Sequence, residues 1–167
     1  MEDLIALLER AGVRQVVDVR TVPRSRRNPQ FEGDVLAATL AEHGIAYVHE
    51  PGLGGFRRPS PDSINGGWEH PAFRGYADYM QTPEFDAALG RLVALASGLP
   101  TSIMCAEAQW WRCHRRLISD ALVIRGWDVL HLGLRAEPVK HELTPFAVVG
   151  PGHSLSYPPA QGELELA

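Results

Sequence analysis

Lysine is nearly missing from this chain: of its 16 basic residues only Lys140 is not arginine. Cysteine is almost as scarce, with two residues, Cys105 and Cys113. Two cysteines exclude a disulfide framework, and a reducing cytosol would keep them as thiols. No apolar run approaches the roughly 20 residues of a membrane span, so no membrane partner is expected. The opening Met1-Glu2-Asp3-Leu4 lacks the basic region and apolar core of a signal peptide, which predicts a cytoplasmic protein. No internal repeat is present, and the net charge of −4 excludes a binder of polyanions by overall charge. What remains is an ordinary globular composition, 45% hydrophobic and 22% charged over 167 residues. That length suits one domain, expected over residues 1–150, followed by a tail at 151–167.

The hydrophobic period predicts an α/β chain. Leu4, Ile5, Leu7, Leu8 and Ala11 repeat at helical spacing, and Gly12 stands where a helix-ending glycine belongs. Residues 13–19 read as a buried strand ending at Asp18-Val19-Arg20. A helix is predicted over 34–43, a strand over 45–49, and a long Gly- and Pro-broken loop over 50–70. Two helices at 72–81 and 83–97 follow, the second with Thr82 as its cap and Pro83 at its first position. A strand at 101–105, a helix at 113–125 and a strand at 127–132 complete the pattern. From Ala136 onward the text turns rich in proline and glycine. Strands alternating with helices predict a single compact domain with a mostly parallel sheet of four strands or slightly more, flanked by helices.

Chemistry concentrates in Cys105-Ala-Glu107-Ala-Gln-Trp-Trp111-Arg112-Cys113-His114-Arg115-Arg116. The stretch joins a strand to a helix, where α/β proteins place ligands and catalysis. Cys105 would face the helix N-terminus and nearby guanidinium groups, which favour a thiolate nucleophile. The competing reading is a small buried core residue. Glu107 is a candidate base or an anchor for arginine, and His114 a candidate base or a structural cap. Cys105, Cys113 and His114 together would also suit a metal such as zinc, although Cys-x7-Cys-His is not a standard spacing. Asp18 and Arg20 end a second strand and reach the same pocket if the strands are neighbours. Asp18 would then orient the arginines or act as a base.

Arginine gathers beside these motifs: Arg20, Arg24, Arg26 and Arg27; Arg57 and Arg58; Arg112, Arg115 and Arg116. Guanidinium forks hold carboxylates and phosphates in two-pronged fashion, so Arg20, Arg26, Arg112 and Arg115 are candidate anion ligands. Codon bias is the plain alternative for the arginine excess. Trp110 and Trp111 offer indoles for stacking on a planar group, or they close the core edge. Phe73, Tyr76, Tyr79 and Met80 form a helical stripe that is either core or, at Tyr76, a substrate wall.

The ordered set Asp18-Val19-Arg20, Pro23-x-Ser25-Arg26-x-Asn28-Pro29-x-Phe31, Leu53-Gly54-Gly55, Phe73-x-Gly75-Tyr76-Ala77-Asp78-Tyr79-Met80, Cys105-Ala-Glu107 with Cys113-His114-Arg115, and His141-x-Leu-Thr-Pro145 resembles the DUF488 family of bacterial and archaeal proteins. The resemblance spans roughly residues 1–162. It implies a compact α/β domain. The family is named for lacking an assigned function, so the resemblance supplies no cofactor and no substrate. Family members usually open with a short strand ending in Gly-His-Ser, ahead of the helix that here begins near Glu2. That segment is expected either to lie upstream or to be missing together with a polar corner of the site. Gly152-His153-Ser154 repeats the letters by coincidence. The family often has proline between Glu107 and Arg112, where this chain has Ala108-Gln109-Trp110-Trp111, a change that alters what the pocket accepts. Rhodanese-like and Cys-phosphatase loops need Cys-x5-Arg, but here Trp111 stands at the sixth position after Cys105.

The sequence therefore predicts a small cytoplasmic enzyme with a thiol-centred, arginine-rich pocket for an anionic or nucleotide-like substrate. A nucleic-acid-binding module and a metal-binding protein using Cys105, Cys113 and His114 are the rival readings. The sequence names no cofactor and no oligomeric state.

Overall fold

The computed structural model describes residues 1–133 and 136–160. Its centre is strand β1 (Gln15–Asp18), buried along its whole length. It pairs in parallel with β2 (Ala46–His49) on one side and with β3 (Thr101–Met104) on the other. Asp18 stands opposite His49 and Met104 in this register, so the polar ends of three strands share one sheet edge. Because β1 is covered on both faces, its side chains belong to two cores. Val17 and Val19 face α3 (Pro71–Tyr79), α4 (Pro83–Gly98) and α5 (Arg115–Val123). Val16 faces α1 (Glu2–Arg10) and α2 (Gly33–Glu42).

The helices form where local chemistry favours them. In α1, Glu2 and Asp3 occupy the first turn and Arg10 the last, opposing the helix dipole at each end. Its Ile5 and Leu8 are buried, and Gly12 ends it with a positive φ of 68°. Helix α4 starts with Pro83 after Thr82, whose hydroxyl accepts from the Phe85 N–H at 3.3 Å. Among the described residues no helix is long and apolar enough to cross a membrane.

The chain is compact α/β, but the expected fourth parallel strand is not in the sheet. The parallel sheet has three strands, ordered β2-β1-β3. The segment predicted over 127–132 supplies β4 (Leu130–Gly133), which pairs antiparallel with β5 (Ala136–Lys140). A partner a few residues away closes a far shorter loop than β3 would, so the hairpin takes the hydrogen bonds. The outer edge of β3 is left beside a groove of about 420 Å³, walled by α1 and by residues 127–132. Past Ala136 the chain is more ordered than its composition suggests. Strands β6 (Val148–Val149) and β7 (Leu155–Ser156) pair, and Leu155 and Tyr157 are buried in the larger core. The start of the expected tail is thus packed, while its residues 161–167 lie outside the described residues.

Candidate functional site

Cys105 follows the last residue of β3, on the face of the sheet that packs against α5. A loop and a single 3-10 turn, Trp110–Arg112, return the chain to Cys113. His114 then stands at the N-terminal cap position of α5. The return brings the Cys105 and Cys113 sulfurs to 2.7 Å. The Glu107 N–H donates to Cys105 Sγ at 3.3 Å. Cys113 Sγ receives the Arg115 backbone N–H and the Arg115 Nε, each at 3.5 Å. An Arg115 Nη2 contact to the Glu107 carbonyl straps the loop down.

His114 joins this cluster through both ring nitrogens. Its Nε2 lies 3.1 Å from the Val19 carbonyl, and its Nδ1 lies 3.5 Å from Cys113 Sγ. A carbonyl can only accept, so Nε2 carries a proton and Nδ1 is the atom that exchanges one with Cys113. Gly55 makes room for the ring: a Cβ there would sit 2.5 Å from Nδ1. The ring also lies 5.1 Å from that of Tyr76.

The two sulfurs are close enough for one to donate to the other. The Cys113 thiol is pulled down to about 3. The hydrogen bond from Cys105 does most of this, against the cost of burial, and His114 and the Arg115 N–H add to it. Cys105 is pushed up by the same contact and then by burial. Of the two, Cys113 has more donors around it, and the contact favours the thiolate there over Cys105.

The sequence profile of the domain of unknown function DUF488 matches residues 1–122. The chain belongs to the DUF488 family. Neither a curated protein nor a solved structure matches it. The DUF488 match ends inside α5 and so contains both thiols, His114 and Arg115.

The remaining candidates of this DUF488 domain occupy different surroundings. Asp18 and Arg20 end the neighbouring strand but lie on the other face of the sheet, with Tyr47 and the α1–α2 core. Both are buried. Asp18 accepts from Arg20 Nε at 2.9 Å, Arg20 Nη2 at 2.5 Å and the Tyr47 hydroxyl at 2.7 Å. Arg20 Nη1 donates to the Phe31 carbonyl at 2.9 Å. Burial, and then Asp18, push the Tyr47 hydroxyl up, so it remains a donor. Tyr76 is fully buried, its hydroxyl donating to the Leu53 carbonyl at 2.8 Å. It supports His114 and presents no surface. Arg26, Arg112 and the Glu107 side chain are exposed, as is half of Trp111.

The part played by Gly55 carries little sequence signal, since only the folded chain shows which ring it accommodates. Trp110, named from the sequence for its indole, stacks on His131 at 3.6 Å with an interplanar angle of 1°.

The donor atoms of Cys105, Cys113 and His114 all lie within 4.8 Å of one another. A tetrahedral zinc with Zn–S near 2.3 Å would hold two sulfurs about 3.8 Å apart. The observed contact is tighter, so a zinc ion would have to spread the pair.

Proposed function

We propose that this DUF488 domain is a small thiol enzyme in which Cys105 and Cys113 work as a reversible dithiol pair on an anionic substrate. The 2.7 Å contact between the sulfurs carries this reading. Cys105 is the more accessible sulfur and meets the substrate. With the shared proton moved to Cys113 or His114, Cys105 attacks one sulfur of a substrate disulfide and expels the other as thiolate. The departing thiolate takes up that proton, and Cys113, again a thiolate, attacks Cys105 Sγ, expels the second substrate thiolate and leaves a Cys105–Cys113 disulfide. Two electrons pass from the pair to the substrate. Arg115 offsets negative charge at Cys113, and the exposed Arg112 and Glu107 flank the entrance as anion ligand and acid–base group.

Site-resolved iodoacetamide labelling against pH, and equilibration of a separate, unlabelled sample with glutathione, test this. Cys105 should label in the folded protein, and oxidised glutathione should convert the pair to a disulfide that dithiothreitol reverses. Labelling of neither cysteine before denaturation would overturn the reading.

One observation favours a metal centre instead. The His114 Nε2–H is held by the Val19 carbonyl, the outer partner that metal-binding histidines commonly have. Under that reading Cys105, Cys113 and His114 Nδ1 are the ligands. Purified protein would carry near-stoichiometric zinc, and both cysteines would resist labelling until a chelator is added.

A further inference from the structure

The outer edge of β3 carries hydrogen-bonding groups that the thiol chemistry does not use. On the inner side of this strand, the Gln15 N–H donates to the Pro100 carbonyl at 3.1 Å and the Val19 N–H to the Met104 carbonyl at 2.8 Å. Along a strand the backbone groups of successive residues point to opposite sides, so those of alternate residues point the same way. The even-numbered residues of β3 therefore face β1, and the backbone N–H and C=O of Thr101 and Ile103 face outward. Among the described residues β3 pairs with β1 alone, and the Thr101 carbonyl and the Ile103 N–H have no hydrogen-bond partner.

These two groups meet the groove of about 420 Å³, whose lining includes every residue of β3. The groove also draws on both layers that cover the sheet: Leu4 and Leu8 of α1 from one, and Leu122, Trp127 and Val129 from the other. Only the rim of a sheet borders both of its layers, and the inner side of β3 is taken by β1. The groove therefore runs along the outward-facing backbone. The residues of β3 are half-buried rather than sealed. The recess thus has a polar floor one strand wide between two apolar walls.

We propose that this groove binds a flat heterocycle with an N–H beside a hydrogen-bond acceptor, the edge shared by lactams, amidines and nucleobases. Its N–H donates to the Thr101 carbonyl, and its acceptor takes the Ile103 N–H. These two backbone groups stand on either side of Ser102 and point the same way. A trans amide turns its N–H and C=O in opposite directions, whereas a ring amide holds them side by side. One rigid edge then satisfies both groups with little freedom lost on binding. Hydrogen bonds to a strand edge lie near the plane of the sheet, so a ring that makes both continues that plane. Its two faces then turn to the two apolar walls. The volume falls within the roughly 300–1,000 Å³ of small-molecule sites. A ring uses one stretch of the edge, where an added strand would need all of it. The site stands whether or not the thiols react.

Titration of the full chain, followed by 1H–15N NMR, tests this with carbostyril, a bicyclic lactam, and with N-methylcarbostyril, which lacks the donor. Carbostyril should move the Ile103 amide proton downfield. N-methylcarbostyril should bind at least about tenfold more weakly, because it leaves the Thr101 carbonyl unpaired. Equal affinity for the two, binding that leaves the Ile103 amide unmoved, or no binding at millimolar concentration would each overturn the proposal. Tighter binding of acetylated trivaline amide, a linear apolar peptide, would overturn it in favour of strand addition. Leu7 lines the groove without belonging to either buried core, so Leu7→Trp should fill the space and abolish carbostyril binding. Undiminished binding would put the lactam elsewhere and overturn the proposal. If Leu7→Trp does not fold by circular dichroism, the wild-type comparison of the two lactams decides alone.

Discussion

The two polar clusters at the carboxyl edge of the sheet are built from similar charges and behave as opposites. At the end of β1, Asp18 accepts from Arg20 and from Tyr47 of β2, and Asp18 and Arg20 are buried. Past the end of β3, two sulfurs stand 2.7 Å apart, and one of them is partly open to solvent. Arginine contributes to both. The difference lies in access: the first cluster turns its charges on one another below the surface, while the second sets a sulfur that is partly open to solvent against a buried one. Charge density alone does not mark a reactive site; access does.

Breaking the closed cluster should have the largest effect. Asp18→Ala leaves Arg20 buried without its partner and should cost about 3–5 kcal/mol in urea unfolding. A loss below about 1 kcal/mol would show that the β1 cluster is less closed than its geometry says.

Acid should come next, through His131, whose Nε2 lies 2.9 Å from His141 Nδ1 and whose ring is stacked on Trp110. Its folded pKa of about 4 lies below the ordinary 6.5. Below pH 6.5 the unfolded chain takes up a proton that the folded chain refuses. The contribution is therefore complete above that pH and is lost as pH falls toward 4, by roughly 3 kcal/mol. His131→Phe should flatten this part of the stability–pH curve, measured by chemical denaturation at each pH.

Gly55→Ala tests the open cluster. The added methyl would meet His114 Nδ1, so a loss of about 1–3 kcal/mol is expected. The alkylation rate of Cys105 should change with it, because His114 can no longer hold its place. The smallest effect on stability is expected from Cys113→Ser, under about 1 kcal/mol, yet it should shift reactivity. With its sulfur partner gone, Cys105 should titrate nearer the ~8.5 of a free thiol, read from its labelling rate against pH.

Much of this was legible in the sequence. Strand ends followed at once by Asp18-Val19-Arg20 and by Cys105 mark the working edge, and the Cys105–Cys113 spacing allows the loop to fold back. The faces were not read. Asp18 registers with Met104, one residue short of Cys105, and a one-residue offset puts side chains on opposite sides of a sheet. That separates Asp18 and Arg20 from the thiols although their strands are neighbours. Pairing of β4 with β5 was also hidden, because apolar alternation does not say which partner a strand takes. The contact between His131 and His141 depends on that pairing, so His131 carries no sequence signal, although His141 and Thr144, which both meet Asp120, stand in the motif His141-x-Leu-Thr-Pro145.

The outer edge of β3, which has no strand partner among the described residues, has a consequence for how copies of the protein meet one another. Unpaired strand edges invite other chains to add on, and many proteins guard them with lysine, which this sequence lacks at β3. Here the guard is architectural. Helix α1 and residues 127–132 flank the edge and leave a groove of about 420 Å³, so an approaching strand would have to displace one of these walls to pair there. A recess in place of a flat edge is this fold's protection against aggregation.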